Sequence, residues 1–339
     1  EELCVEAGVQ FQLHTKVCAA FKEGKRLTTI VTESKSGRQA WKAPVFIDAT
    51  GDGDLGYQAG CEFEIGMAED RAQSASCPCQ PMSLNVLLVV KDAEALREFI
   101  RFSTPKAGEN SDNEKKRRLK DVLTSTGHFP SYGAPTIWHV RDNLVFAMMN
   151  HEYGVMPWDA AEITAATVRA RAEMNKMVAN LRMLGGPWEG IQIVATAEQI
   201  GVRDGRRIKG RYYVTQEDLI TGARQEDGVA RATFPVDVHA LTAEDNKQSA
   251  YDSVGVNMLP YDIPLRALIA RDVDGLMMAG RCISGDFIAH SSYRVTGNAV
   301  GMGEAAGVVA ALAAASKRLP HEISWSEGEA RLKAMGQRS

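Results

Sequence analysis

Two side chains able to handle protons and anions, His290 and Arg294, lie four residues apart near the C-terminal end of the sequence. An imidazole can act as a general acid or base, and a guanidinium presents planar donors to a carboxylate or a developing oxyanion. The alternatives are a histidine that only packs and a structural ion pair between Arg294 and an acid such as Glu304. The residue types at this spacing favour a polar reaction centre.

The elements around this pair should place it at the end of a strand. Residues 275–279 are apolar and follow a turn, which indicates a buried strand. Gly280 lets the backbone approach another group closely. A helix is expected to begin near Val295 and to end before Pro320, with its N–H groups and dipole favouring an anion at its start. Glu304 is its only charge, so we expect it to be mostly buried.

Further polar groups follow other predicted strands. Residues 45–49 read as an apolar strand, and Thr50, Gly51, Asp52 and Gly53 come directly after it. Ligands of open α/β sheets bind at the carboxyl ends of the strands, so this turn is a candidate binding site.

Two more segments contribute candidates for acid–base and substrate roles. His239 follows Asp237 on a predicted strand with both side chains on one face, so the carboxylate could orient the imidazole. Arg203 begins an arginine cluster and is a candidate for clamping a substrate. His151 and Tyr153 are weaker candidates for lining the same pocket.

Taken in order, these motifs resemble the FAD-dependent oxidoreductase family and, more distantly, the flavoprotein subunits of succinate dehydrogenase and fumarate reductase. The similarity rests on AGRCISG, AHSSYRVTGNAVGMGEAAG, VFIDATGDG, IGVRDGRRIKG, FPVDVH and QPMSLNVLLVV. The chain departs from the family's GVRE pattern because Asp204 stands at the position of the glutamate, which shortens that side chain.

The resemblance implies an α/β fold, with an N-terminally incomplete FAD/NAD(P)-binding Rossmann-like domain at residues 1–80 and 264–339. An α+β substrate or cap domain would be inserted at residues 81–263. FAD is the implied cofactor, and hydride transfer between a small polar substrate and flavin N5 is the implied reaction. The implied cofactor-binding residues are Thr50, Gly51, Asp52, Gly53, Gly280, Arg281, Ser284, Gly297, Asn298 and Gly301. The implied catalytic residues are Arg294, His290, His239 and Arg203.

One departure concerns the phosphate-binding turn. The family opens with a strand, a G-x-G-x-x-G turn and a helix that hold the ADP half of FAD, and this sequence has no such motif. Its first residues, EELCVEAGVQFQLHTKV, resemble the middle of the family's first domain, which predicts one further βαβ unit upstream. The alternative function is therefore an incomplete or non-catalytic flavoprotein fragment that needs an upstream segment or a partner chain to bind FAD.

Composition and charge limit the classes of partner that the protein is expected to bind. The 339 residues suggest two domains, and a net charge of −4 gives no electrostatic footprint for nucleic acid. The basic run at residues 115–118 has acidic neighbours, which favours a solvated surface. No run of about 18 apolar residues is present, so no membrane span is expected. We expect a small-molecule substrate and a cytoplasmic location, with a homo-oligomer as an open option.

The cysteines leave several interpretations open. Cys77 and Cys79 are the closely spaced pair among six cysteines, and no second pair at metal-binding spacing accompanies them, so no metal site is predicted. They could be a redox pair beside the flavin, the centre of a separate thiol–disulfide activity, or plain core cysteines. Cys282 lies within the predicted flavin loop, where its neighbours do not identify a thiolate role.

Periodicity and turn residues also predict the elements themselves. The first three predicted strands would form a β-meander, and a long helix should end at Gly185-Gly186. The predicted strands are residues 9–17, 27–32, 39–43, 45–49, 84–90, 136–140, 144–148 and 191–197. The predicted helices, besides the one after Val295, are residues 92–101 and 160–184.

Overall fold

The computed structural model describes residues 1–67 and 77–336. In these residues the strands are β1 (Lys16–Glu23), β2 (Arg26–Ser34), β3 (Gly37–Lys42), β4 (Phe46–Asp48), β5 (Phe63–Glu64), β6 (Val86–Val89), β7 (Ile100–Arg101), β8 (Thr136–Arg141), β9 (Leu144–Met148), β10 (Gln192–Thr196), β11 (Arg207–Ile208), β12 (Gly228–Ala232), β13 (Val238–His239), β14 (Tyr251–Asp252), β15 (Tyr261–Pro264) and β16 (Leu276–Met278). The helices are α1 (Glu2–Glu6), α2 (Asp54–Gln58), α3 (Asp112–Ser125), α4 (Ala160–Leu184), α5 (Gln216–Thr221), α6 (Ala243–Gln248), α7 (Phe287–Tyr293), α8 (Thr296–Ser316) and α9 (Trp325–Ala334).

The chain divides into two compact units. Unit 1 comprises Glu1–Glu64, Arg206–Val236 and Val256–Ser339, and unit 2 comprises Ile65–Gly205 and Asp237–Gly255. Unit 2 therefore begins before residue 81, and the stretch Arg206–Val236 belongs to unit 1. The reason is strand pairing, because β11 pairs with β5 and β12 pairs with β15, which ties this stretch to unit 1.

The centre of unit 1 is a parallel pair of strands from opposite ends of the chain. β4 and β16 run in the same direction, with Phe46 beside Leu276 and Asp48 beside Met278. Helix α8 packs against both strands and against the turn Gly280–Cys282. Because the strands are parallel, their carboxyl ends lie at one edge, and the turns that follow them are brought together there. The antiparallel meander β1-β2-β3 belongs to the same unit, as predicted.

Helix α8 has the predicted bounds but not the predicted burial. It begins after Val295, and Lys317 ends it in a left-handed conformation with φ of 58°. Gly303, Gly307 and Ala311 are exposed along one face. Within the described residues, no atom lies within 4 Å of a Cβ built on Gly303 or Gly307. The expectation that α8 is mostly buried was wrong. The helix has few charged residues because it is built from small residues, and not because its surface is covered.

Helix α8 is also long and apolar enough to cross a membrane, judged by length and composition alone. In its most apolar 18-residue window, 33% of the residues are buried. The core helix of a soluble protein meets the same criteria, so this is weak evidence for a span. The sequence prediction had excluded such a run, because the glycine-rich start of the helix was not counted as apolar.

Unit 2 is built on a five-stranded sheet with the order β10-β6-β9-β8-β7. Helix α3 packs on β7 and β8, and α4 packs on β10. The core between them includes Leu88, Ile137, Met177 and Leu181, all inaccessible to solvent. Asp159 caps α4 by accepting hydrogen bonds from two backbone N–H groups, and Gly185 ends it. The strands predicted near residues 84–90, 136–140, 144–148 and 191–197 and the helix at 160–184 are confirmed.

Two predicted elements do not form as expected. The strand predicted at residues 9–17 begins only at Lys16, because His14 adopts a left-handed conformation with φ of 52°. The helix predicted at residues 92–101 is a series of turns, in which the Asp92 carboxylate accepts the backbone N–H of Glu94. Ile100 then pairs with Ile137 in the sheet. In the second case tertiary pairing overrides helix propensity.

Candidate functional site

One buried carboxylate, that of Asp48, organises the turn after β4. Its Oδ1 accepts the backbone N–H of Thr50 at 3.0 Å and the hydroxyl of Thr50 at 2.7 Å, and its Oδ2 accepts the N–H of Gly56 at 2.8 Å. Thr50 Oγ1 in turn accepts the N–H of Asp54 at 2.9 Å. The Thr50 side chain thus folds the turn. Sequence reasoning missed Asp48, although an acid at the end of an apolar strand was the signal.

The glycines of this turn sit where side chains do not fit. Gly51 has φ of 80°, and a Cβ there would lie 2.6 Å from Nη2 of Arg281. Gly53 has φ of 67°, and its Cβ would lie 3.0 Å from the Arg206 carbonyl oxygen. Asp52 accepts a hydrogen bond from Arg281 at 2.9 Å. Burial raises the pKa of Asp52, and the Arg281 charge opposes that rise.

The turn after β16 meets this turn at the same edge. Gly280 has φ of 84°, and a Cβ on it would lie 3.9 Å from that of Ala299, which places the start of α8 beside this turn. The next residue, Arg281, supplies the guanidinium that pairs with Asp52. Cys282 is fully buried and its thiol donates to the Asp48 carbonyl at 3.3 Å. Burial raises the pKa of Cys282, so this thiol packs the turn and is not a reactive thiolate.

His290 is a fully buried imidazole in a positive field. It lies on α7 with no exposed surface, and its ring meets the Tyr293 ring edge-on at 5.5 Å. Within the described residues, neither ring nitrogen has a hydrogen-bond partner. Burial, and then the charges of Arg207, Arg294 and Arg281, hold the pKa of His290 well below its ordinary value. The imidazole is therefore neutral, and can offer a donor or an acceptor but not a charge.

Other buried polar atoms share this property. The Ser284 hydroxyl and the Nε of Arg281 also lack a partner among the residues that the structure describes. A buried donor or acceptor without a partner costs about 1–3 kcal/mol, so such atoms are expected to meet a bound group or water. We call Asp52, Arg281, Ser284, His290 and Arg294 the edge cluster. The unmatched donors of Ser284 and Arg281 suit an anionic or oxygen-rich ligand.

Two further arginines add to the positive charge around His290. Arg294 ends α7, with its backbone N–H donating to the His290 carbonyl at 3.1 Å. Arg207 lies on β11, is 2% exposed, and donates from Nε to the Gly285 carbonyl at 3.0 Å. Sequence reasoning chose Arg203 from the arginine run and missed Arg207. The signal for Arg207 was only its position in that run.

The predicted residues on α8 have different surroundings. Gly297 is exposed, and within the described residues no atom lies within 4 Å of a Cβ built on it. Asn298 donates from Nδ2 to the Ser292 carbonyl at 3.2 Å. A Cβ on Gly301 would lie 3.0 Å from that of Ala230, so this glycine allows α8 to pack on β12. Packing explains Gly301, and a cofactor role for Gly297 and Asn298 stays a prediction.

His239 and Arg203 belong to unit 2, whereas His290 and Arg294 belong to unit 1. His239 lies 3.2 Å from Asp237, measured from Nε2 to Oδ2, so the expected carboxylate–imidazole pair is present. Arg203 donates to the Pro81 carbonyl at 2.7 Å and to the Ser83 hydroxyl at 2.8 Å. These contacts give Arg203 a role in holding two segments of unit 2 together.

The cysteine pair also lies in unit 2. Cys77 and Cys79 form a disulfide, with their Cα atoms 5.1 Å apart, and pack with Ile65 and Met156. Their sulfurs are thus bonded to each other, and nothing in these contacts assigns them a reaction. Among the described residues, no group of three or more His, Cys, Asp or Glu side chains is arranged to hold a metal ion.

The profile of the family described as FAD dependent oxidoreductase matches residues 1–332. The flavin-dependent brominase Bmp2 is 12% identical with a TM-score of 0.38, the match covering 98% of this chain and 57% of Bmp2. The flavin-dependent halogenase CmlS is 11% identical with a TM-score of 0.32, over 62% of this chain and 31% of CmlS. For p-nitrophenol 4-monooxygenase PnpA from Pseudomonas putida DLL-E4, identity is 9% and the TM-score is 0.27, over 58% and 38%.

These structural likenesses carry no argument about activity. The chain spans less than two thirds of the length of each of these flavoproteins. A search of the curated proteins found no match.

Proposed function

The chain belongs to the FAD dependent oxidoreductase family, whose cofactor is FAD, and from this premise we propose that unit 1 holds FAD at the carboxyl edge of β4 and β16. We propose further that the protein transfers a hydride between a small polar substrate and FAD. The main support is the set of buried atoms without a partner among the described residues, on Ser284, His290 and Arg281. When bound, FAD supplies a two-electron acceptor or donor at N5.

The two turns at this edge suit a flat, oxygen-rich ligand. Gly51, Gly53 and Gly280 all have positive φ, which lets the two turns fold closely around Asp52 and Arg281. The Ser284 hydroxyl and the Arg281 guanidinium would donate to ligand oxygens. Asp52 keeps Arg281 in place through their 2.9 Å hydrogen bond. These residues would bind and orient the cofactor.

The charges in unit 1 favour a ligand that carries or develops negative charge. The guanidinium groups of Arg207, Arg281 and Arg294 all act on His290, which stays neutral. A neutral imidazole can donate one hydrogen bond and accept another without adding charge. Arg294 is the candidate for stabilising a substrate oxyanion. His290 would orient the ligand through hydrogen bonds and would stay uncharged. This proposed role is narrower than the general acid or base role expected from the sequence.

The proposal is tested by titrating the full chain with FAD and measuring flavin fluorescence and the bound stoichiometry. We expect near-stoichiometric binding by the natural sequence. Replacing Ser284→Ala together with His290→Phe removes two partners of the ligand and should weaken binding about tenfold or more. Ser316→Ala is the matched control, because the Ser316 hydroxyl donates to the Leu312 carbonyl and accepts from the exposed Arg318 at the C-terminal end of α8. Equal affinity of the double variant and the natural sequence would contradict this site.

A second candidate function is an incomplete flavoprotein that needs another segment or chain to bind FAD. The observation that favours it is exposed apolar surface in unit 1. Leu3 and Val5 are 80% and 67% exposed, and one face of α8 carries the exposed Val300. A chain that is folded by circular dichroism but binds no FAD would support this candidate. Stoichiometric FAD binding by the same chain would exclude it.

A further inference from the structure

Arg206 is a buried arginine that contacts the turn after β4. It begins the second segment of unit 1, and its side chain is 4% exposed. Its backbone N–H donates to the Asp52 carbonyl at 3.3 Å, and its Nη1 donates to the same oxygen at 3.2 Å. Nη1 also donates to the Asp54 carboxylate at 2.9 Å. A single side chain thus holds Asp52, which belongs to the edge cluster, and the acid two positions after it.

Two aromatic rings hold the Arg206 guanidinium in place. Its central carbon lies 4.3 Å from the Tyr57 ring centroid and 5.6 Å from that of Phe63. The two rings meet edge-on, with centroids 5.8 Å apart. The negative face of an aromatic ring attracts a cation, and a planar guanidinium can lie flat against it whereas an ammonium cannot. This packing fixes the direction in which Arg206 presents Nη1 to the turn.

Glycines bring the backbone of residues 206–208 directly against the same turn. A Cβ on Gly53 would lie 3.0 Å from the Arg206 carbonyl oxygen, and one on Gly56 would lie 2.6 Å from Cδ1 of Ile208. Both distances are shorter than the roughly 3.5–4.0 Å at which non-bonded carbon atoms pack best. The backbone contact between the two segments therefore does not depend on the Arg206 side chain, which can be replaced without removing it.

The charges around this turn act on Asp52 in opposite directions. Burial raises the pKa of Asp52, the charge of Arg281 opposes that rise, Asp54 adds to it, and Arg206 opposes it. The charged groups that act on the Asp52 carboxyl group are these three. Arg206 also pairs with Asp54, so it attracts the Asp52 charge and at the same time neutralises the acid that repels it. Loss of the Arg206 charge would therefore favour the protonated form of Asp52.

The ionised form of Asp52 is the form that holds Arg281. Nη2 of Arg281 donates to Asp52 Oδ1 at 2.9 Å, beside the Cα of Gly51. A hydrogen bond between two charged groups is about twice as strong as one between neutral groups. A protonated Asp52 would lose that added strength and would hold the guanidinium less firmly. The charge state of Asp52 thus connects Arg206 to the turn at which we place the cofactor.

We propose that Arg206 is a positioning residue for the FAD site, which keeps Asp52 ionised and in place so that Asp52 can hold Arg281 for binding the cofactor. The inference rests on the proposed function only in naming FAD as the group that Arg281 binds. Arg206 acts through Asp52 and has no part in the chemistry of the cofactor. Its charge acts on the Asp52 carboxylate, and its planar shape keeps that charge at the Asp52 carbonyl.

The test uses the full chain without added FAD, so that it is decided separately from the cofactor titration. NMR of ¹³C-labelled aspartate carboxyl groups, with the Asp52 signal identified from Asp52→Asn, measures the proton-binding constant of Asp52. In Arg206→Gln this constant should rise about tenfold, because an attracting charge is lost and Asp54 loses its partner arginine. Arg211→Gln is the matched control, since Arg211 is a partly exposed arginine of unit 1 that lies 3.6 Å from Asp274. An unchanged constant in Arg206→Gln, or equal rises in the two variants, would overturn the proposal.

Arg206→Lys separates the charge from the planar shape, and it also serves if Arg206→Gln does not fold. Lysine keeps the charge but cannot lie flat on Tyr57 while bonding both Asp52 and Asp54. The proton-binding constant of Asp52 should therefore rise about threefold, which is less than in Arg206→Gln. No rise in Arg206→Lys would contradict the role of the planar group, and a rise as large as in Arg206→Gln would contradict the role of the charge.

A FAD titration then connects Arg206 to the cofactor site. Between about pH 8 and pH 6 the affinity of Arg206→Gln for FAD should fall at least about threefold more than that of the natural sequence, because Asp52 becomes protonated at a higher pH. If the natural sequence binds no FAD, the proposed function fails while the NMR result still decides how Arg206 acts on Asp52. If both proteins bind FAD with the same pH dependence, Arg206 does not position the FAD site.

Discussion

The edge cluster of unit 1 and the Asp237–His239 pair of unit 2 each contain a buried imidazole, yet the two rings have opposite electrostatic surroundings. His290 faces three guanidinium groups, and neither of its ring nitrogens has a hydrogen-bond partner among the described residues. His239 faces the carboxylate of Asp237. A histidine among cations with unmatched nitrogens is prepared for a ligand, whereas a histidine beside a carboxylate is prepared for a proton. Local charge, more than residue type, separates the two roles.

The sharpest test of the edge cluster is Arg294→Ala. We expect turnover to fall about 10²–10³-fold, because a group that stabilises developing negative charge is lost, while the bound FAD content is kept. The rate of substrate-dependent flavin bleaching measures this. Arg318→Ala is the control, since Arg318 makes its ion pair with Glu327 and its hydrogen bonds to Ser316 and Glu322 at the surface. Unchanged turnover in Arg294→Ala would remove it from the catalytic residues.

The hydrogen-bond network around Ser131 in unit 2 is tested by Glu173→Gln, because the Glu173 carboxylate accepts the backbone N–H of Ser131 at 2.8 Å and the side-chain amide of Asn150 at 2.7 Å. The amide replaces an oxygen that accepts hydrogen bonds with a group that donates, so a free energy of unfolding lower by about 3 kcal/mol is expected from urea denaturation. Glu189→Gln breaks an exposed ion pair with Lys91 and should cost less than about 0.5 kcal/mol. If the two changes cost the same, the network around Ser131 does not stabilise unit 2.

The close contact between Gly51 and the Arg281 guanidinium is tested by Gly51→Ala. Its methyl group would displace the Arg281 guanidinium and weaken FAD binding about tenfold. Gly37→Ala is a matched control, because Gly37 has φ of 84° and no described atom within 4 Å of the added Cβ. Both changes carry the same backbone penalty, so only the difference in FAD affinity reports the contact. Equal affinity would show that Arg281 does not need that space.

The smallest expected effect is the pH dependence caused by His290. Its pKa is lowered in the folded state, so below about pH 6.5 the unfolded chain binds a proton that the folded chain excludes. Stability should therefore fall as the pH falls, by at most about 1.4 kcal/mol per pH unit. His290→Phe should remove this part of the slope between pH 7.5 and 5.5 in urea denaturation. An identical slope in both proteins would mean that His290 does not stay neutral.

The sequence predicts the elements of this fold best where strong periodicity meets clear end signals. The helix at Ala160–Leu184 has an Asp159 cap and a glycine stop. The strand Phe46–Asp48 completes a mostly apolar run and is followed by a turn that contains Gly51 and Gly53. Residues 92–101 show the limit, because Ile100 leaves its helical pattern to pair with a distant strand. Propensity carries no information about such a partner.

The site could be predicted only in part, for a similar reason. Gly51 and Arg281 were identified separately, but their contact depends on the parallel pairing of β4 with β16. The run at residues 203–207 gave no means of telling that Arg203 belongs to unit 2 and Arg207 to unit 1. The charge of His290 also depends on arginines from three separate segments.

The pairing of Asp52 with Arg281 joins residues 229 positions apart in the chain. Closing so long a loop costs entropy that is recovered only when most of unit 1 has formed, so this contact belongs to the late stages of folding. A ligand held there would bind the completed unit and not its folding intermediates. Bound FAD would then stabilise only the folded form of unit 1, so saturating FAD should raise the free energy of unfolding of this unit.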